Sequence, residues 1–405
     1  MNTAYPAPPE VGRVQRLALF VGIAFLVLLL IGAFINRTQF FHSYLVGLVF
    51  WTGVALGSLA LLMLQHLTGG GWGLVIRRVL EAASRTIPLL LILFVPLVLG
   101  MSSIYPWMHH EEMARTAALM SKAEHYLNRN FFLGRLALYF AIWLVLTYFL
   151  NKWSAEQDRT AERQYRRRMK ILSGPGLALF VLTTTFASID WVMSLDPHWS
   201  STMFGFLFVA SWALSAMAFV IATLSLLAGR APMSGVVAPS HFHDLGKLLL
   251  ALVMLWAYFA FSQFLIIWSG NLPEETTWYL HRTRGGWGAI ALAVIVLHFA
   301  LPFLLLLSRD FKRNAHKLAI LAAFLLVMRL VDLFWMIEPE FSHGHFHLNW
   351  MDVAAPLGVG GVWIAAFCWQ LQKRPIVPLN DPQLESVLEQ ARQSLHEIEA
   401  AHHQA

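Results

Sequence analysis

The sequence predicts an all-α integral membrane protein with ten transmembrane helices. Three observations carry that prediction. Hydrophobic residues make up 58% of the 405 and charged residues only 13%, about half the charge of a soluble domain. The apolar residues gather into ten runs, each near the ~20 residues that a helix needs to cross hydrocarbon. The basic residues lie mostly on one side of those runs. This composition excludes a disordered chain, a nucleic-acid module and an ordinary cytosolic enzyme. The net charge of +6 is therefore read as a topology signal, with no nucleic-acid partner.

The runs follow in order. The first, near 14–35, is too long for a signal-peptide core and lacks a small-residue cleavage site, so it reads as a retained span. The second is near 42–66. The third, near 86–105, contains Pro88 and Pro96, which neighbouring helices accommodate in a bundle. Gly69-Gly70-Gly71-Trp72-Gly73 follows a span rather than a strand and is not a nucleotide fingerprint. The fourth and fifth runs, 131–151 and 172–193, are followed by 203–228, 246–268 and 287–307, the last with Pro302. The ninth, 316–336, holds Arg329 and Asp332. The tenth, 352–371, holds the single cysteine, Cys368, which leaves no disulfide pair and no Cys-based metal site.

Segments 1–16, 68–85, 152–170, 229–247, 308–317 and 372–405 hold 21 of the 29 Lys and Arg residues; the opposite loops hold 6. Both termini are thus expected in the cytoplasm. The cluster Arg166, Arg167, Arg168 and Lys170 is mainly part of this signal, with attraction to anionic lipid as an addition. In the tail, Asp381 is placed to cap a helix starting at Pro382. Leu384, Leu388, Ala391, Leu395 and Ile398 would share one face. That helix either lies on its own protein or docks a partner subunit.

Asp190-Trp191-Val192-Met193-Ser194-Leu195-Asp196-Pro197-His198-Trp199 ends span five. Asp332-Leu333-Phe334-Trp335-Met336-Ile337-Glu338-Pro339-Glu340-Phe341 ends span nine, 142 residues on. Both read acid, five residues, acid, proline, any residue, aromatic. Glu111-Glu112 and Glu274-Glu275 form a weaker echo. Spans two to five and six to nine therefore read as two tandem four-helix bundles in the same orientation, with spans one and ten peripheral. The predicted division is 1–41, N-terminus and first span; 42–199, first bundle; 200–341, second bundle; 342–378, outer loop and tenth span; and 379–405, tail helix.

Acids inside a membrane are costly unless paired or facing water, and they default to a functional reading. Asp332 lies three residues after Arg329, on one helix face, so a buried structural pair and a proton-path site are both open. Asp190 has no basic neighbour in sequence, which favours function. Asp196 and Glu338 precede prolines, where an acid often just ends a helix; His198 and Glu340 follow them at an outer mouth. His243, Asp244 and Lys247 open span seven, either as a helix start with an ion pair or as an inner proton entrance. Tyr258, Ser262 and Gln263 either continue that path or make interhelical contacts. Of the histidines, only His298 sits near midspan, with no evident partner for haem b. His343, His345 and His347 read as a solvated loop rather than a metal site.

One long motif, Phe186-Ala187-Ser188-Ile189-Asp190-Trp191-Val192-Met193-Ser194-Leu195-Asp196-Pro197-His198-Trp199, resembles a signature of the ActF family. So do His243-Asp244-Leu245-Gly246-Lys247, Trp256-Ala257-Tyr258-Phe259, Phe261-Ser262-Gln263 and Asn271-Leu272-Pro273-Glu274-Glu275. These are membrane subunits of bacterial alternative complex III, within the NrfD-like (polysulfide reductase membrane subunit) family. The resemblance covers spans two to nine. It implies a cofactor-free, multi-pass subunit of the bacterial inner membrane, in a complex oxidising menaquinol or ubiquinol. The implied partners are the NrfD-like sister subunit ActC, an iron–sulfur protein, and multihaem and monohaem cytochromes c, which carry the clusters and c-type haems. It implies that ActC holds the quinol site. This chain would support assembly and supply proton half-channels through Asp190, Asp196, His198, His243, Asp244, Lys247, Gln263, Arg329, Asp332 and Glu338. The alternatives are a direct quinol-binding subunit and a proton-coupled secondary transporter, since parallel repeats with buried carboxylates fit transporters too.

Overall fold

A computed structural model of the chain describes residues 5–342, 345–389 and 391–393. These residues form helices and connecting turns with no strand among them. Ten helices are long and apolar enough to cross a membrane: α1 (Pro9–Ile35), α2 (Arg37–Thr68), α3 (Gly71–Leu99), α4 (Arg129–Thr160), α5 (Arg163–Leu195), α6 (Phe204–Ala228), α7 (Pro239–Gly270), α8 (Trp287–Leu307), α9 (Ala315–Glu340) and α10 (Trp350–Gln372). The chain is an all-α, multi-pass membrane protein. Large apolar side chains such as Phe20, Phe34, Leu99, Leu226 and Leu304 stay exposed around its flank, which suits lipid rather than water. The start of α1 meets the end of α10: the Ile376 N–H donates to the Tyr5 carbonyl (3.0 Å), and Gln372 Nε2 donates to Gln15 Oε1 (2.6 Å). This end of the molecule is the near face.

Two helices form the centre. α2 packs on α1, α3, α5, α6 and α10, and α6 packs on α2, α5, α7 and α9. Small residues let these backbones approach. A Cβ on Gly57 would run into the Trp212 carbonyl of α6, and one on Gly47 into Ala355 and Pro356 of α10. α1 is held mainly by α10, where Gly22 and Gly361 lie backbone to backbone.

Prolines shape α3 and α8. Pro88 lacks an N–H, and its ring opposes the carbonyl four residues back, at Ser84. The helix breaks there, between Ser84 and Ile87, and again at Phe94, ahead of Pro96. In α8, Pro302 opposes the His298 carbonyl in the same way. The chain relaxes into a π-helical turn over Val294–Ala300, a wider register that often marks a functional position.

The third span starts earlier than the run near 86–105: α3 begins at Gly71, after Gly69 and Gly70 turn the chain with φ of 69° and 99°. Arg77, Arg78 and Glu81 are buried in that first stretch.

The tail packs on its own protein. Residues 384–389 and 391–393 are helical, with Val387 and Ala391 buried and Leu384 and Leu388 packed against the core. Asp381 Oδ1 accepts from the Gln383 N–H (3.0 Å) in the turn before the helix, which begins at Leu384 rather than at Pro382. Leu395 and Ile398 lie outside the described residues.

Candidate functional site

The acids ending α5 and α9 are both buried and both ion-paired. Asp190, 1% exposed, accepts from Arg135 Nε (2.9 Å) and Nη2 (2.8 Å) and from the Tyr139 hydroxyl (2.8 Å). Arg135 in turn donates to the Tyr126 carbonyl (3.1 Å) and lies over the Tyr126 ring. The expectation that Asp190 lacks a basic partner is therefore wrong. Its partner comes from α4, one helix over, where no local spacing rule reaches. Asp190 is buried and Arg135 largely so, and low local polarity strengthens their hydrogen bonds; the adjacent Trp191 joins a cluster of Phe94, Phe140 and Trp143.

Asp332 pairs with Arg329 on its own helix, as their spacing predicts. Among the described residues, Arg329 Nε has no partner, and neither nitrogen of the buried His298 has one. That histidine lies edge-on to Trp256, ring centroids 4.2 Å apart, in the π-helical turn of α8. Asp332 also lines a cavity of about 680 Å³ among α6, α7, α8, α9 and the short helix Pro273–His281. Gln263, Tyr279, Trp256 and Trp335 line it as well, and the rest of the wall is mostly apolar. Gln263 is 1% exposed; its Oε1 accepts from the Ser201 hydroxyl (3.1 Å), and its Nε2 donates to the Tyr279 hydroxyl oxygen (3.4 Å). Burial pushes the Tyr279 phenol up to about 12, so it stays a neutral donor at ordinary pH. Tyr258, Phe261 and Ile295, exposed at the rim, open the cavity toward the apolar flank.

The remaining sequence candidates are spread out. Asp196 Oδ1 accepts from the His198 N–H (3.0 Å) in a tight turn, with the His198 side chain exposed; here the acid ends a helix. Glu338 is 2% exposed, with Oε2 unpartnered among the described residues. It lies within electrostatic reach of Asp352 on α10, which accepts from Ser43 (2.6 Å) and Gln39 (3.0 Å) of α2. His243, Asp244 and Lys247 open α7 at the near face, with Lys247 Nζ 3.2 Å from Asp244 Oδ1 and both exposed. Lys247, the last of the three, stands 16 residues before Gln263, about 24 Å along the helix. Among the described residues, no hydrogen bond connects the two groups.

Sequence reasoning missed three features. Arg282, counted only as a loop charge, is buried over the Trp278 ring and donates to Glu340 Oε1 (2.6 Å) and the Met336 carbonyl (2.7 Å), closing the far end of α9. The second is the cavity itself, whose lining comes from five separate segments. The third is a near-face charge network. Glu81 accepts from Arg77 (3.0 Å), Arg78 (2.6 Å) and the Ser154 hydroxyl (2.5 Å), Arg78 also pairs with Asp158, and Arg77 holds Asp381 (2.8 Å). With Arg374 3.6 Å from Glu81, three cations balance three anions and tie α3, α4 and the tail together.

His345 and His347 are exposed, and His343 lies outside the described residues. Among the described residues, no three His, Cys, Asp or Glu side chains are placed to hold a metal ion. Comparison of the sequence with protein-family models and with curated proteins finds no match.

Proposed function

We propose that the chain is the integral membrane subunit of a bacterial quinol-oxidising electron-transfer complex of the alternative complex III kind. We propose further that Asp332 is its proton-exchanging group. The observation that carries this reading is the placement of Asp332, with Gln263 and Tyr279, on the wall of an otherwise apolar cavity open to the flank. Its pairing with Arg329 accounts for the charge but not for its place on a cavity wall, and intramembrane acids in that position are functional by default.

The lining also bears on what enters. An apolar cavity does not hold a file of water. Its size falls in the range of small-molecule sites, and its few polar groups suit the oxygens of a quinol ring. This favours a chain that touches the quinol itself over one that only conducts protons. Quinol oxidation releases two electrons and two protons. The electrons pass to iron–sulfur and c-type haem centres in partner subunits, and Asp332 takes a proton toward the far face, which is the periplasm if the termini are cytoplasmic.

In this reading α2–α5 and α6–α9 are two tandem four-helix bundles, with α1 and α10 outside them. The pairings of α2 with α3 and α5, α4 with α5, α6 with α7 and α9, and α7 with α8 support it. The transporter alternative calls for helix breaks at matched positions in the two repeats. The breaks here fall in α3 and α8, the second helix of one unit and the third of the other.

Purification in mild detergent from the native membrane tests the proposal. It should bring down c-type haem and iron–sulfur partners, with a quinol analogue protecting the complex. A colourless lone chain indifferent to the analogue overturns it.

A further inference from the structure

The near face carries a second cavity, about 310 Å³, between the end of α2, the start of α5 and the tail. Arg163, Arg166, Arg167 and Lys170, from the first two turns of α5, line it. Among the described residues its only acid is Asp381, already held by Arg77 at 2.8 Å. None of the four α5 cations meets a carboxylate among the described residues.

This arrangement is unfavourable as it stands. The positive end of a helix dipole repels cations, and α5 begins after Glu162 with no side chain capping its free N–H groups. A separate observation points to a ligand. Among the described residues, Gln65, 4% exposed, lines the cavity with its Oε1 unpartnered, and the neighbouring His66 Nε2 is buried and unpartnered too. The wall thus presents clustered cations, a buried imidazole nitrogen and a buried acceptor that wants a hydroxyl.

We propose that this cavity binds a phosphate group, supplied by the headgroup of an anionic lipid. Phosphate oxygens match the guanidinium forks, and a hydroxyl on the same headgroup satisfies Gln65. The lipid source follows from position. Ile171, one residue beyond Lys170, is 61% exposed, and Leu179 and Leu182 continue the exposed apolar surface along α5, so a headgroup here leaves its acyl chains against that flank.

The test uses the delipidated full chain in detergent, with thermal unfolding as readout and three probes: dioleoylphosphatidylglycerol, dioleoylphosphatidylcholine and inorganic phosphate. Phosphatidylglycerol should raise the unfolding midpoint saturably and phosphatidylcholine should not. The surface variant Arg163→Gln/Arg167→Gln should keep the unliganded midpoint and weaken the lipid effect about tenfold. Arg168→Gln, which removes the same charge from the same helix outside the cavity, should leave it unchanged. Equal protection by inorganic phosphate keeps the phosphate site and replaces the lipid with free phosphate as its source. Protection by neither, an undiminished effect in the double variant, or an equal loss in Arg168→Gln overturns the proposal; the last would reduce it to diffuse surface charge.

Discussion

Arg135 of α4 grips Asp190 of α5 through two parallel hydrogen bonds, 2.9 and 2.8 Å long, across 55 residues of sequence. Removing one partner of such a buried pair costs about 3–5 kcal/mol, whereas replacing both with apolar residues can be neutral. Asp190→Ala is therefore expected to lower stability by about 3 kcal/mol, with Arg135→Met/Asp190→Leu recovering most of it. Denaturant unfolding in detergent measures both. An Asp190→Asn chain as stable as wild type, with turnover of the complex reduced, would instead place this pair in the proton path.

Asp332 should behave differently, because it borders a cavity. Asp332→Asn is expected to cut quinol-dependent turnover at least tenfold while the complex still assembles. Gln263→Leu, which removes a neutral hydrogen-bonding group, is expected to raise the quinol KM about fivefold with kcat little changed. Wild-type kinetics in both variants would remove the cavity from the reaction.

The near-face network predicts a graded response. Glu81 faces Arg77, Arg78 and Arg374, so Glu81→Gln leaves three guanidinium groups short of a counter-charge and should cost about 3–5 kcal/mol. Asp381→Asn removes only the link from Arg77 to the tail. Its expected effect is local: limited proteolysis should cut the tail faster while the midpoint of global unfolding stays nearly fixed.

The crossing of α1 and α10 rests on Gly22 and Gly361. Gly361→Leu forces the backbones apart at a cost of roughly 1–3 kcal/mol. In a Gln15→Cys/Gln372→Cys background, where the ends of the native side chains touch, it should sharply lower the yield of the crosslink that a short bis-thiol reagent forms between α1 and α10. An unchanged yield would mean that other contacts hold α1.

The spans were legible because hydrocarbon demands a long apolar run and the chain supplies ten. Arg329 with Asp332 was legible because three residues on a helix share a face. Arg135 with Asp190 was not, because no sequence period reports which face of α4 meets α5. The burial of Arg77 and Arg78 was not legible because α3 starts ahead of its apolar run, where hydropathy is low but burial is not. The cavity was hidden because its polar groups lie on separate segments, each unremarkable alone. Gln263 was named from the sequence, but Tyr279 beside it was not.

The contact between α2 and α6 limits how the molecule can move. Trp212 seats its backbone on Gly57 and its indole on Gly53, so neither helix can slide past the other without the ring leaving its seat. A protein that worked by rocking one half against the other would need that joint to slip on every cycle. Built this way, α2 and α6 form a tight central joint, and sliding at that joint is the costliest motion open to the molecule.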